Sequence, residues 1–330
     1  MFVDTARAQA IFDTLPAEMR WPTLSPGYVA VDALRDTASR PVFLAEVADD
    51  GVLMHALLEA DVPGGDGCDW QSAYGYGGPI AHGLSGDALA CAWSRLDAIA
   101  SERGIVAEFV RFHPALDNQA AYPGTVRRDR AVVLVDLGVP DLLASYSGRA
   151  RTAVRKALRN GLRAQWETAA GARAEFPAFY RRSMREIGAS DFYLFGDAYF
   201  DALLALPDAR VLSIVQGDER ISMGLFLFGP VQAEYHLSGT SPAGRRAGAT
   251  SLLLSTAAET ARGDGCRWLY LGGGTTNSDD DALLRFKNSF APAGRHFHIG
   301  YRIHDARRYQ TLRDADPDRA RNGRILFYRN

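Results

Sequence analysis

The sequence predicts an α/β protein of mixed sheets with helices on their faces, arranged as two domains. Three observations lead there. The chain has 330 residues, and one domain takes roughly 150. The order hairpin, further strand, helix, strand recurs in both halves; hairpins require antiparallel pairing and strand–helix–strand crossovers require parallel pairing, so the sheets must be mixed. The composition, 47% hydrophobic and 23% charged, is that of a globular chain with a sizeable core.

The elements follow in order. PVFLAEVA (41–48) and GVLMHALLEA (51–60) flank Asp49-Asp50-Gly51 and read as a hairpin, because Asp-Gly supplies the turn. DVPGGDGCDWQSAYGYGGP (61–79) reads as a glycine-rich loop carrying aromatics. LSGDALACAWSRLDAIASERG (84–104) reads as a helix capped by Ser85 and ended by Gly104. IVAEFVRF (105–112) is a strand stopped by His113-Pro114, and RAVVLVDLG (130–138) is another. In the second half, residues 139–163 read as helical and rich in arginine, and EFPAFYRRSMREIG (175–188) as a further helix. ARVLSIVQ (209–216) and RISMGLFLFG (220–229) flank Gly217-Asp218 as a second hairpin. VQAEYHLSG (231–239) is a strand, followed by a helix near 245–262, the strand CRWLYLG (266–272), a short helix near 281–288 and the strand RHFHIGYRI (295–303). RILFYRN (324–330) is expected to be a terminal strand. The domains are expected to divide at 138/139. No low-complexity linker marks that point, so the halves are expected to pack around a shared cleft, a common place for ligands.

A net charge of −2 excludes global attraction to nucleic acid or an anionic membrane, so any such contact needs a local patch. Lysine and arginine total 37; only Lys156 and Lys287 are lysine, which leaves 35 arginines. No apolar run approaches the roughly 18–20 residues of a membrane span. The opening MFVDTARAQAIF lacks the pattern of a signal peptide. Cys68, Cys91 and Cys266 form no C-x-x-C pair, so a cytoplasmic location is expected, with the thiols structural or incidental.

The stretch LGGGTTNSDDDALLRFKNSF (271–290) raises the sharpest questions. A P-loop needs lysine and a hydroxyl directly after its glycines. Here Thr275-Thr276-Asn277 follow Gly274, and the spacing does not fit a dinucleotide fingerprint either. A pliable strand exit that lets backbone approach a ligand remains, beside a plain turn. Asp279-Asp280-Asp281 suit a helix start better than a metal site, because consecutive carboxylates rarely converge on one ion. Lys287 then lies among Leu283, Leu284, Phe286 and Phe290. It is either an exposed helix lysine or a fixed ammonium able to stabilise an oxyanion in a dry site.

Arg151, Arg155, Arg159 and Arg163 recur at every fourth position, joined by Lys156 and without interleaved acids. On a helix this is one cationic face, suited to an RNA backbone, a nucleotide diphosphate or CoA, or else simply solvated. Arg245-Arg246-Ala247-Gly248-Ala249-Thr250 resembles the R-x-x-G-x-[GA] acyl-CoA loop of GNAT acetyltransferases, with Thr at the last position. In that loop a helix N-terminus holds pyrophosphate.

Taken as an ordered series, these pieces resemble one family. AEYHLSGTSPAGRRAGATSLLLSTAAETARGDGCRWLYLGGGTTNSDDDALLRFKNSF looks like the C-terminal half of FemABX-like aminoacyltransferases. YGYGGP (74–79), VRFHP (110–114) and RTAVRKALRNG (151–161) resemble the first domain and the entry to the second, so the likeness spans about 70–330. It implies two GNAT-like domains, residues 1–138 with 318–330 returning as a closing strand, and residues 139–317. It further implies transfer of an amino acid from aminoacyl-tRNA to an amine of a peptide-like acceptor such as a peptidoglycan precursor. Aminoacyl-tRNA is then a co-substrate and no cofactor or metal is needed.

The family's lysine after Phe corresponds to Lys287, as an electrostatic stabiliser. His113 stands where some members carry an Asp before the proline, which makes it a second catalytic candidate. Arg151, Arg155, Lys156, Arg159 and Arg285 become tRNA or phosphate contacts. Tyr74, Tyr76, Arg111, Tyr235, Gly273, Thr275, Asn277 and Phe286 become candidates for the acceptor or aminoacyl pocket. No long coiled-coil insertion is visible, so RNA contact would rest on the arginine stripe. Two alternatives remain: an N-acyltransferase using acetyl-CoA, and a non-catalytic module binding a peptide or nucleotide sugar. The acceptor and the oligomeric state are left open.

Overall fold

The computed structural model describes residues 1–48, 51–278 and 280–329. The chain divides into two units, Met1–Asp129 with Phe297–Asn330, and Arg130–His296. The division falls earlier than 138/139, and the return to the first unit begins well before residue 318. The strands explain both differences.

They are β1 (Phe2–Val3), β2 (Ser39–Val47), β3 (Val52–Asp61), β4 (Cys68–Gln71), β5 (Ile80–His82), β6 (Ile105–Arg111), β7 (Thr125–Asp136), β8 (Arg163–Trp166), β9 (Ala209–Gln216), β10 (Glu219–Phe228), β11 (Gln232–Thr240), β12 (Trp268–Gly273) and β13 (Arg295–Ile303). β7 begins before the expected strand and carries the unit boundary within it. β13, from Ile299 to Ile303, pairs antiparallel with β6, which brings the chain back to the first unit.

In the first unit the strand order is β1-β2-β3-β4-β6-β13, with β5 on β3. β2 and β3 pair antiparallel from Val47↔Val52, as the hairpin pattern requires; Asp49 and Asp50, where the sequence places the turn, lie outside the described residues. β3 is buried on both faces, which suits its apolar run, and its two buried polar residues have partners. His55 Nε2 lies 2.8 Å from Glu108 Oε1, and Glu59 accepts from Arg40, Arg103 and the Trp70 indole.

The stretch 61–79 is not all loop. Cys68–Gln71 forms β4, parallel to β6, because Asp69 and Trp70 are buried there. The helix Gly86–Glu102, with Ser85 capping Ala88 N–H, packs Trp93, Leu96 and Ala100 on Leu44, Leu53 and Leu57. The tail at 324–329 is not a strand; Asn330 lies outside the described residues. Side chains rather than a backbone ladder hold it. Phe327 is fully buried, and Arg329 Nε donates to both oxygens of Asp69, at 3.0 and 2.8 Å.

In the second unit the order is β7-β12-β11-β10-β9-β8. β9 and β10 form the expected hairpin, with Gly217 at φ +59 in its turn. The arginine-rich segment breaks into helices Leu142–Ser145 and Gly148–Arg159, the second capped by Ser147. The helix expected near 245–262 is likewise two, Pro242–Ala247 and Ala249–Gly263. Gly248 divides them at φ +82, in the left-handed region that glycine enters without strain. Helix Ala249–Gly263 is the crossover between parallel strands β11 and β12, and it buries Leu252, Leu253 and Ala257 in a core with Ile214, Phe226 and Leu269. The longest described helix is Ala169–Glu186, so no long helical hairpin is inserted among the described residues.

Candidate active site

The second unit explains its glycines one by one. ALLRFK forms the helix Ala282–Lys287, and Asp281 is its N-cap. Asp281 Oδ1 accepts from the N–H groups of Leu283 and Leu284, each at 2.9 Å. Its Oδ2 accepts from the Thr275 hydroxyl at 2.6 Å, the Thr276 hydroxyl at 3.2 Å, and both threonine N–H groups at 3.0 Å. These donors, the Thr275 hydroxyl first, hold the carboxyl far below the usual carboxylate range. One side chain thus starts the helix and ties it to the glycine-rich exit. Asp280 pairs at the surface with Arg285, at 3.3 Å; Asp279 lies outside the described residues.

The capped helix delivers Lys287 into a buried position, 8% exposed. Its Nζ donates to Gly273 O at 2.8 Å. Burial pushes the ammonium down to about 8, against the opposing pull of Asp281. An ordinary exposed helix lysine is therefore not what stands here. Gly272 has φ +82, and a Cβ on it would come within 3.1 Å of Lys287 Nζ. A Cβ on Gly273 would sit 2.9 Å from Ala131 O, and one on Gly274 would sit 2.4 Å from Asp281 Oδ1. Each glycine admits a different neighbour: the ammonium, the adjoining strand and the cap.

Strand geometry opens a gap beside this lysine. β11 and β12 pair in parallel only at Gln232–Glu234 with Trp268–Tyr270. Beyond those positions both strands continue without pairing to each other, so their C-terminal ends splay. Tyr235 stands at the start of the splay. Its ring packs 5.3 Å from that of Phe226, its hydroxyl donates to Ser238 Oγ, and burial pushes that hydroxyl up to about 12.

Opposite β10 the register jumps from Leu237 to Tyr235, which makes His236 the additional residue of a bulge. Bulges re-aim side chains, often beside active sites. His236 Nε2 lies 3.2 Å from the Tyr199 hydroxyl. Sequence reasoning passed over this pair; its one visible signal was a histidine inside an otherwise alternating strand.

The cationic helix Gly148–Arg159 is amphipathic, burying Ala150, Val154 and Ala157. Its arginines are not equivalent. Arg151 turns back to donate to the carbonyls of Ala144 and Tyr146, whereas Arg155, Lys156 and Arg159 are exposed. Lys156 Nζ donates to Arg246 O at 3.2 Å, and a Cβ on Gly248 would sit 2.9 Å from Ala153 O. The two basic segments therefore adjoin, and exposed Arg245 and Arg246 extend the stripe. Helix Ala249–Gly263 begins there without a side-chain cap. The Thr250 hydroxyl is engaged with Thr240, 2.9 Å away. Thr275 and Asn277 are exposed, and half-buried Phe286 packs 5.6 Å from Phe290.

The first unit brings other candidates together. His113 is fully buried, its ring centroid 4.3 Å from Trp21. Its Nδ1 accepts from Ala115 N–H at 3.3 Å, which places the proton of a neutral ring on Nε2. Tyr76 meets His113 and Phe297 edge-on, at 5.8 and 5.4 Å. The His113 ring has no exposed surface and packs against Tyr76. Tyr74 N–H donates to Asp32 at 2.7 Å, and its ring lies under the Arg35 guanidinium. Arg111 shares this neighbourhood.

Comparison with known proteins agrees with the second unit's build. Residues 147–288 match the model of the acetyltransferase (GNAT) domain. No curated protein matches. Among solved structures, FemX aligns over 96% of this chain and 99% of its own at 16% identity, with a TM-score of 0.69. L-PGS from Bacillus licheniformis aligns over 94% of this chain and 95% of its own at 14% identity, TM-score 0.61. The C-terminal domain of a putative lysylphosphatidylglycerol synthetase from Agrobacterium fabrum gives the same coverage at 15% identity, TM-score 0.58. At such identities the likeness to these structures is one of fold. Residues 147–288 are thus similar to a GNAT acetyltransferase domain, and the chain as a whole has a fold like that of FemX, as the resemblance to FemABX-like aminoacyltransferases implies.

Proposed function

We propose that the protein transfers an aminoacyl group from aminoacyl-tRNA to an amine of a peptide-like acceptor, such as a peptidoglycan precursor, and that the transfer runs at Lys287. One observation carries this reading: a buried ammonium held on Gly273 O, with bare Gly272 beside it and two splayed strands in front. Aminolysis of an ester needs little else. The amine nitrogen attacks the ester carbonyl, the C–N bond forms, the oxygen takes negative charge, and the C–O bond to the donor then breaks. A fixed cation near that oxygen stabilises the transition state without reorganising at the moment of reaction. With its ordinary value lowered only to about 8, Lys287 stays largely protonated at neutral pH.

The attacking amine must lose a proton. His236, held by Tyr199 on the β11 bulge, has the chemistry to accept it. It fits that role better than fully buried His113.

The exposed stripe of Arg155, Lys156 and Arg159, lengthened by Arg245 and Arg246, supports a polyanionic donor. A second reading, acetyl-CoA as donor, is favoured by one feature, the uncapped start of helix Ala249–Gly263 after left-handed Gly248. The two separate in one experiment. The protein is incubated with charged tRNA pools or with acetyl-CoA, plus amine acceptors, and products are identified by mass. A product from aminoacyl-tRNA supports the first reading; a product from acetyl-CoA alone replaces it with the second.

A further inference from the structure

The first unit contains a cation that the chemistry at Lys287 does not use. Arg111 closes strand β6, and the glycine-rich stretch is fastened to it. Gly77 N–H donates to Arg111 O at 2.7 Å, Arg111 N–H donates to Ser72 Oγ at 3.0 Å, and Asn118 Nδ2 donates to Gly77 O at 2.9 Å. Gly78, at φ +93, lies where a Cβ would strike Phe112 and Asn118. The backbone around Arg111 is therefore fixed.

The Arg111 guanidinium rests over the Phe109 ring at 5.0 Å. Among the described residues no carboxylate lies within ion-pairing distance of it, and its side-chain nitrogens have no hydrogen-bond acceptor. Its surroundings are mixed: Tyr76, Tyr74 and Asp129 favour the charged guanidinium without bonding to it, and Arg35 opposes it. Arg35 acts on it as a second cation, Asp129 acts on it only at a distance, and Asp32 is engaged by Arg35 at 3.4 Å and by Tyr74 N–H. Burial depresses the Arg111 guanidinium, so holding it charged there has a cost. A half-buried guanidinium with a cationic neighbour and no bonded counter-ion is an unfilled half of an ion pair. The planar fork matches two oxygens of one oxyanion.

We propose that Arg111, with Arg35 beside it, anchors an oxyanion of the acceptor molecule, a carboxylate or a phosphate. Tyr74 and Tyr76 flank the site within its electrostatic reach. That the ligand is the acceptor rests on the acyl-transfer reading; that the site takes an oxyanion does not.

The test is direct binding to the full chain by calorimetry, with three probes: N-acetyl-alanyl-alanine, its C-terminal amide, and inorganic pyrophosphate. At least one of the two anions should bind, and Arg111→Gln should weaken it tenfold or more. If the carboxylate is the ligand, the amide should bind the native chain at least tenfold more weakly than the acid. If the phosphate is the ligand, only pyrophosphate should respond to the substitution. Arg111→Lys, which keeps the charge but loses the fork, should fall between the two and serves if Arg111→Gln does not fold. Lys287→Met should bind like the native chain, so a failure of acyl transfer leaves this result readable. Equal binding of both anions to native and Arg111 variants, or no binding of either to the native chain, would overturn the proposal.

Discussion

Replacing Lys287 by methionine should slow acyl transfer about a hundredfold or more and change how the protein's stability responds to pH. The ammonium is lowered from the ordinary 10.5 to about 8 by burial. Each tenfold in proton affinity is worth about 1.4 kcal/mol, so the folded state disfavours the charged form by about 3 kcal/mol. Between pH 8 and 10.5 the unfolded chain binds more protons than the folded one. Stability from this group therefore rises with pH across that window, and it is lost as pH falls through 8. Lys287→Met removes the titration. Urea unfolding of both proteins should show the native chain gaining about 2 kcal/mol relative to the variant between pH 7 and pH 9.5. Activity should move the opposite way, falling on the alkaline side near pH 8 as the ammonium is neutralised, with kcat of the variant down by about 10²–10³. Parallel stability curves, together with a variant of near-native kcat, would refute the reasoning.

Asp281→Ala removes the cap of helix Ala282–Lys287 and should cost about 1–2 kcal/mol in urea unfolding, with kcat falling as Lys287 loses its support. Gly272→Ala forces a Cβ into the left-handed region 3.1 Å from Lys287 Nζ; it should cost about 1–3 kcal/mol and reduce kcat more than it raises KM. Replacing Arg155, Lys156 and Arg159 together by alanine should weaken aminoacyl-tRNA binding and lower the slope of log affinity against log salt by about 2–3, as read by filter binding at several ionic strengths. Arg329→Ala leaves the buried Asp69 carboxylate without its partner and should destabilise the first unit by about 3 kcal/mol, seen as a lowered Tm and earlier proteolysis of the tail.

Much of this was legible in the sequence, for reasons that differ from place to place. The β9–β10 hairpin followed from alternating apolar runs around Gly217, and the helix at Asp281 from an acid before an apolar segment. Lys287 stood out as one of two lysines, although only the fold shows that it is buried. β4 was hidden because its buried residues include Asp69, whose partner Arg329 is far away in sequence. The tail read as a strand because ILFY is apolar and β-prone, yet its burial is satisfied by packing alone. His236 was visible only as a histidine within strand β11; the bulge that sets it apart is a relation between two strands and is not written in either one alone. The arginine stripe was visible as a period, but not the turn of Arg151 away from it onto nearby carbonyls.

The measurement that bears most directly on the central claim is single-turnover acyl transfer, followed by mass, from charged tRNA pools to amine acceptors with native protein and Lys287→Met side by side. A peptide-bonded product with the native chain, slowed at least a hundredfold in the variant while donor binding is retained, is what a buried oxyanion-stabilising ammonium predicts. Equal rates in the two proteins would contradict it.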